Sequence, residues 1–136
     1  MTEKEALQAA LAGEHAAMYG VGVAGGKLSG ARFAQATATF GVHRKRRDQL
    51  ADLLADDGET PVAAEPAYDL PQPVTSTASA VALVLLIERR LSAVYADLVE
   101  AAEKEPVRTL AIQALIATSR AELSWGGTPQ AFPGQG

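Results

Sequence analysis

The stretch Gly58–Thr75, GETPVAAEPAYDLPQPVT, decides the fold because it interrupts a sequence that is otherwise helical in pattern. Its four prolines exclude a continuous helix, and it contains no useful length of strand-like alternation. A structureless connection this long is uncommon in a compact domain. Extended at roughly 3.3 Å per residue, it spans about 55 Å, whereas a helix of about 25 residues measures roughly 37 Å. We therefore predict a crossover from one end of a helical bundle to the other.

Two helical segments lie on each side of the crossover over 58–75. A T-x-x-E capping box at Thr2–Glu5 opens the first, and Pro106 suits the first turn of the last. Apolar residues recur with helical spacing between these signals, and glycine pairs end the first and last patterns. The predicted helices cover residues 3–25, 30–57, 76–104 and 106–125. We expect one all-α domain over 1–127 and a loose tail over 128–136.

The composition of the 136 residues excludes several classes of function. There is no cysteine, so disulfides, thiolate nucleophiles and iron–sulfur clusters are ruled out. A net charge of -4 argues against a nucleic-acid-coating protein. The opening MTEKE is charged, and the longest apolar run, 80–87, is far shorter than the ~20 residues of a membrane span. We expect a cytoplasmic protein with no nucleic-acid or membrane partner.

Three ionisable residues interrupt the apolar stripes of the first three helices. Glu14, His43 and Glu88 each lie three residues after one apolar stripe residue and seven before another. Counting from the predicted helix ends at 1.5 Å per residue places them within roughly 5 Å of one level. Buried carboxylates and imidazoles cost free energy unless they are paired, hydrogen-bonded or coordinated. We therefore predict that the three side chains meet in one polar layer inside the bundle.

Further side chains are expected to complete this layer. Arg120 and Glu122 come level with it if the second hairpin folds at its predicted turn. Arg47 lies one helical turn after His43 and can pair with a glutamate of the layer. Tyr95 either hydrogen-bonds to the layer or fills the core with its hydroxyl satisfied. The predicted members are Glu14, His43, Arg47, Glu88, Tyr95 and Arg120, with Glu122 as a further candidate.

The sequence resembles a known family of helical domains. The segments EHAAMYG and HRKRRDQL, the crossover YDLPQP at 68–73 and the closing Trp-Gly-Gly at 125–127 are similar to an actinobacterial family of ferritin-like domains of unknown function. This resemblance implies a ferritin-like four-helix bundle, two hairpins joined by one long crossover, and it implies no activity. Related di-iron and di-manganese bundles carry one metal-binding Glu on each of two helices and a Glu-x-x-His motif on each of the other two helices. Glu14 and Glu88 match the two lone glutamates.

The second and fourth helices depart from the metal-binding pattern. The motif reads Phe40-x-x-His43 in one and Ser119-x-x-Glu122 in the other, so we do not expect a dinuclear centre. Two interpretations stay open: a metal-free, ion-paired layer in a protein with a binding or structural role, or a mononuclear site for Fe, Mn or Zn. The ligands of that ion would be Glu14, His43, Glu88 and Glu122. We assign no catalytic residue and expect a protein that is not an enzyme.

Two surface features predict contacts with other chains. Small residues four apart in the first helix, Gly13 with Ala17 and Ala16 with Gly20, allow backbones to approach closely. They serve either packing inside the bundle or a homodimer through the first two helices, and we expect the homodimer. The run HRKRR at 43–47 is followed by aspartates, which favours a solvated, partly paired face. A third interpretation makes this helix a protein-interaction surface, abolished by Arg46→Glu.

Overall fold

The computed structural model describes residues 1–134, and in this part of the chain all regular secondary structure is α-helical. The four helices are α1 (Glu3–Gly25), α2 (Gly30–Asp56), α3 (Thr77–Ala101) and α4 (Glu105–Ser124). Side-chain caps begin two of them: the Thr2 hydroxyl accepts from the Glu5 amide, and Ser76 and Ser79 form a reciprocal capping box. The helices α1, α2 and α4 begin and end within one residue of their predicted bounds.

The turn between α3 and α4 begins earlier than predicted. Helix α3 ends at Ala101 instead of residue 104, because Ala102 adopts an extended backbone conformation. Glu3 at the start of α1 holds the turn that follows, since its Oε2 atom accepts from the amides of Glu103 at 2.5 Å and Lys104 at 2.8 Å. Carboxylate acceptors are favoured at a helix N-terminus, where backbone donors lack partners. The first turn of α1 is therefore fixed to the start of α4.

Helix α1 packs against α2 and α3, and α3 packs against α4. Two apolar clusters stack along the bundle, one near the α3–α4 turn and one near the α1–α2 turn. The fully buried side chains include Leu7, Leu11, Leu50, Leu54, Leu83, Leu98, Tyr95 and Trp125. Burying a side chain of this size contributes about 1.5–3 kcal/mol relative to leaving it in water, so these clusters dominate the stability of the bundle.

The crossover lies along α1. Gln8 accepts from the Val62 amide at 2.9 Å and donates to the Thr60 carbonyl at 2.8 Å. Half-buried His15 places its Nε2 atom 3.0 Å from the Val62 carbonyl oxygen, so its imidazole also binds the crossover. These contacts hold the crossover against α1 as it runs from the end of α2 to the start of α3 at the opposite end of the bundle. The predicted crossover topology is therefore the one observed.

The C-terminal segment is exposed over residues 128–132 and half-buried at Pro133 and Gly134. Gly134 has a φ of +81°, which favours glycine, and a side chain there would collide with the Ser92 carbonyl of α3. Residues 135–136 of the predicted tail lie outside the described residues. Within residues 1–134, no helix combines the length and apolar character needed to cross a membrane.

Candidate functional site

His43 lies inside the bundle between two glutamates from other helices. Its Nδ1 atom is 2.8 Å from Glu14 Oε1, and its Nε2 atom is 2.7 Å from Glu88 Oε1. The second oxygen of Glu14 lies 3.2 Å from Nδ1. All three side chains are buried. The structure therefore brings together the three residues that interrupt the apolar stripes of α1, α2 and α3.

The position of each residue within its helix explains why the three meet. Glu14 lies eleven residues from either end of α1, and His43 lies thirteen residues from either end of α2. Glu88 lies within one residue of the middle of α3. Helices of similar length that pack side by side bring their middle residues to one level, whichever direction each helix runs.

The two glutamates control the charge of His43. Burial lowers the pKa of this imidazole, but the hydrogen bonds to Glu14 and Glu88 and the charges of their carboxylates outweigh burial and raise the pKa to about 9. His43 is therefore an imidazolium at neutral pH, and both ring nitrogens donate a hydrogen bond. An imidazolium has no free ring lone pair with which to bind a metal ion.

Arg46 and Tyr95 complete the polar layer, which comprises Glu14, His43, Arg46, Glu88 and Tyr95. Arg46 Nη1 lies 3.8 Å from Glu14 Oε2, and its guanidinium stands over the Tyr95 ring, 5.5 Å from the centroid. The imidazolium and guanidinium together balance the two carboxylates, which lowers the cost of burying four charges.

Tyr95 is fully buried beside these charges. Burial raises the pKa of its phenol well above the usual value, and the nearby charge of Glu14 raises it further. The hydroxyl is therefore neutral. Within residues 1–134 it is the one buried side-chain oxygen or nitrogen that has no hydrogen-bond partner. Tyr95 thus lies in the core at the edge of the polar layer, with its hydroxyl unsatisfied.

The structure places two of the predicted arginines outside the polar layer. Arg47 pairs with neighbouring Asp48 at the surface, where its Nη2 lies 2.9 Å from the carboxylate. Arg120 is exposed on α4. The arginine inside the layer is Arg46, one residue earlier than predicted, because α2 is rotated slightly from the orientation that its apolar pattern suggests.

The spacing of apolar residues in α2 does not decide between Arg46 and Arg47. Ala36, His43 and Leu50 are separated by seven residues and are all buried. In such a heptad pattern a further inward position lies three or four residues after each of them. After Leu50 it is Leu54, four residues later, whereas after His43 it is Arg46, three residues later.

Glu122 belongs to a second buried polar group, between α3 and α4. The Ser92 hydroxyl donates to Glu122 Oε2 at 2.9 Å and lies 3.0 Å from Thr118 Oγ1. Glu122 also forms a loose ion pair with Arg89, at 3.8 Å. The structure gives Glu122 no contact with His43, so the four predicted metal ligands do not form one cluster. Neither Ser92 nor Thr118 carries a charge, and sequence patterning does not single them out.

The residues at the predicted motif positions do not fit a di-metal centre. Phe40 has no ligand atom, and the Ser119 hydroxyl donates to the Leu115 carbonyl at 2.6 Å. Each occupies a position where the di-metal bundles carry a glutamate. Within residues 1–134, no group of three or more carboxylate or imidazole side chains is arranged to hold a metal ion. The chemistry that this arrangement supports is charge pairing.

The small residues of α1 serve packing inside the bundle. A Cβ atom on Gly20 would lie 2.6 Å from Ile87 Cδ1, and one on Gly13 would lie 3.0 Å from Leu91 Cδ2. Both glycines therefore allow α3 to approach α1 closely. Gly13 and Gly20 therefore have the first of their two expected roles, packing inside the bundle.

Comparison with known proteins identifies the family. Residues 6–136 match the family described as Domain of unknown function (DUF4439). The crystal structure of a conserved hypothetical protein from Mycobacterium tuberculosis is 31% identical, with a TM-score of 0.88 over 90% of this chain and 93% of that chain. A dodecameric thioferritin, the bacterioferritin-related protein of Bacteroides fragilis, is 20% identical, with a TM-score of 0.72 over 90% of this chain and 81% of that one. None of the curated proteins matches this chain. The predicted ferritin-like fold is thus confirmed, and the chain belongs to the DUF4439 family.

Proposed function

We propose that this protein is a non-catalytic ferritin-like bundle with a structural or binding role, in which an ion-paired layer takes the place of a metal centre. The observation that carries the proposal is the position of His43, whose two ring nitrogens lie 2.8 and 2.7 Å from carboxylate oxygens. Both nitrogens are donors in the imidazolium form, so a metal ion has to displace a proton before it can bind.

The charge balance of the polar layer supports the same proposal. Two carboxylates face one imidazolium and one guanidinium, so no net charge is left for a cation to neutralise. Buried ion pairs of this kind contribute little net stability, but breaking one is costly. The layer thus suits a role in fixing the register of α1, α2 and α3 against each other.

The test combines the protonation state of His43 with metal uptake. The chain has two histidines, so the imidazole nitrogen signals of His43 and His15 can be assigned by NMR of the wild type and His15→Gln. We expect both ring nitrogens of His43 to be protonated at pH 7.5. The metal test adds Mn²⁺, Fe²⁺ or Zn²⁺ separately under anaerobic conditions and measures the bound metal by elemental analysis after gel filtration. We expect less than one ion per chain in both the wild type and Glu14→Gln.

The alternative function is a mononuclear Fe, Mn or Zn protein that uses Glu14, His43, Glu88 and Glu122. It requires His43 to lose a proton and Glu122 to leave Ser92. Stoichiometric uptake of one ion that disappears in Glu14→Gln, together with loss of the imidazolium signals, would support this alternative and overturn the ion-paired layer. The conservative Glu5→Gln variant, at an exposed carboxylate of the same helix, is the matched control.

We also propose a homodimer through α1 and α2. The supporting observation is the aromatic side chain of Phe33 on the first half of α2, which is 51% exposed. Phe33 and Phe40 line an apolar groove with Gly22 and Gly25 of α1, so one surface spans both helices. The bacterioferritin-related protein of Bacteroides fragilis, with the same fold, is a dodecamer.

Light scattering at micromolar concentration tests the dimer. We expect the wild type to have twice the mass of the chain and Phe33→Glu to have the mass of one chain. Ile116→Glu, a charge placed on an apolar residue of α4 with similar exposure, is expected to stay dimeric. A monomeric wild type, or dissociation by both variants alike, would contradict the proposed interface.

A further inference from the structure

A separate cavity lies between α1, α3 and the crossover, and none of its lining residues belongs to the polar layer. Its volume is about 130 Å³. A cavity of roughly 150 Å³ with apolar walls holds one benzene molecule in a well-studied helical protein, so this space matches one six-membered ring. The crossover segment 68–71 covers one side, and the remainder opens to solvent.

Small residues on α1 leave this space open. Gly13, Ala16, Ala17 and Gly20 present almost no side-chain volume to it, while α3 contributes an aliphatic wall that includes Ile87. Gly20 brings the two helices together at Ile87, as described above, so the cavity is bounded by tight helix packing. Its walls are therefore apolar and set by the backbone positions of α1 and α3.

Two opposite charges line the same cavity. Arg90 projects from α3, and Asp69 belongs to the crossover. Both residues are exposed, and neither forms an ion pair with another residue in the described part of the chain. An anion alone would be attracted by Arg90 and repelled by Asp69, and a cation alone would experience the reverse. A ligand with both charges satisfies both groups.

We propose that this cavity binds a free α-amino acid with an apolar side chain of about one ring in size. The side chain occupies the space beside Ala16 and Ile87, the carboxylate lies near Arg90, and the ammonium group lies near Asp69. The walls supply affinity by excluding water from the ring, and the two charges supply selectivity for a zwitterion. This site is independent of the proposed role of the polar layer.

Titration of the wild-type protein with four compounds tests the charge selectivity. The probes are L-phenylalanine, phenylacetate, phenethylamine and benzyl alcohol, which carry the same ring with both charges, one charge or none. Binding is followed through the methyl NMR signals of Ala16 and Ile87. We expect L-phenylalanine to bind tightest. Equal binding of all four, or no shift with any of them, would overturn the proposal.

Three variants locate the site. Ala16→Leu fills the cavity from a half-buried position and is expected to abolish binding of L-phenylalanine. Arg90→Gln is expected to weaken it about fivefold, the effect of a partly solvated charge pair. Arg89→Gln removes the same charge from the adjacent residue, which does not line the cavity, and is expected to leave binding unchanged. If Ala16→Leu fails to fold, the two arginine variants still test the site. Equal affinities of Arg90→Gln and Arg89→Gln for L-phenylalanine would contradict the assignment.

Discussion

The variant His43→Leu is expected to lower the free energy of unfolding by about 3–5 kcal/mol at pH 7, the usual cost of removing one partner from a buried ion pair. Leucine fills much of the space of the imidazole, so the loss of stability is caused more by the missing charge than by the change in volume. Glu88 would be left without its hydrogen-bond donor, and Glu14 would keep only the longer contact with Arg46. Urea denaturation followed by circular dichroism measures the change.

A double variant distinguishes loss of charge balance from loss of packing. His43→Leu/Glu88→Leu removes one positive and one negative charge and leaves Glu14 paired with Arg46. We expect it to be more stable than His43→Leu alone, because a buried ion pair can often be replaced by apolar side chains at little cost. His15→Leu, which removes a single hydrogen bond to the crossover, is the control and should cost about 1 kcal/mol. A double variant less stable than the single one would contradict the charge argument.

Stability is expected to fall as the pH rises from about 6.5 to about 9. The folded protein holds the pKa of His43 at about 9, above the unfolded value of 6.5, so the folded state binds the proton more tightly. The contribution of protonated His43 to the free energy of unfolding is fully present below pH 6.5 and is lost as the pH rises through 9. A shift of this size corresponds to about 3 kcal/mol. Urea denaturation at a series of pH values measures it.

The His43→Leu/Glu88→Leu variant provides the reference for this pH profile. It lacks the imidazole but keeps every other group that titrates in this range, so its stability should change much less between pH 6.5 and 9. Lys4 and Lys104 have raised pKa values because they pair with Asp57 and Glu59, and they lose their protons only above this range. Parallel profiles for the wild type and the variant would show that His43 does not carry the dependence.

Most of the fold can be predicted from the sequence because its signals are local. Thr2, Ser76 and Pro106 mark helix starts, glycines mark helix ends, and the proline-rich crossover determines the topology. The end of α3 and the position of Gly134 depend on contacts between distant residues. Glu3 holds the amides of residues 103 and 104, and Gly134 packs on Ser92, and neither contact leaves a periodic signal in the sequence.

The centre of the polar layer can also be predicted, whereas its edges cannot. Glu14, His43 and Glu88 interrupt apolar stripes at matching depths, so counting along the helices is enough to bring them together. To choose between Arg46 and Arg47, one must know the orientation of α2 about its own axis to within a fraction of a turn. The two side chains point in directions that differ by about 100° around the helix. The partners of Glu122 are uncharged hydroxyl groups on another helix, which side-chain periodicity does not distinguish.

The contact between Glu3 and residues 103–104 constrains the order in which the chain can complete its fold during synthesis. Its donors are made about a hundred positions after its acceptor. At about 5–20 residues per second, α1 spends roughly 4–16 seconds after its own synthesis without this partner. Until the α3–α4 turn is made, the carboxylate at the start of α1 stays open to water, and the bundle closes at this end only when that turn exists.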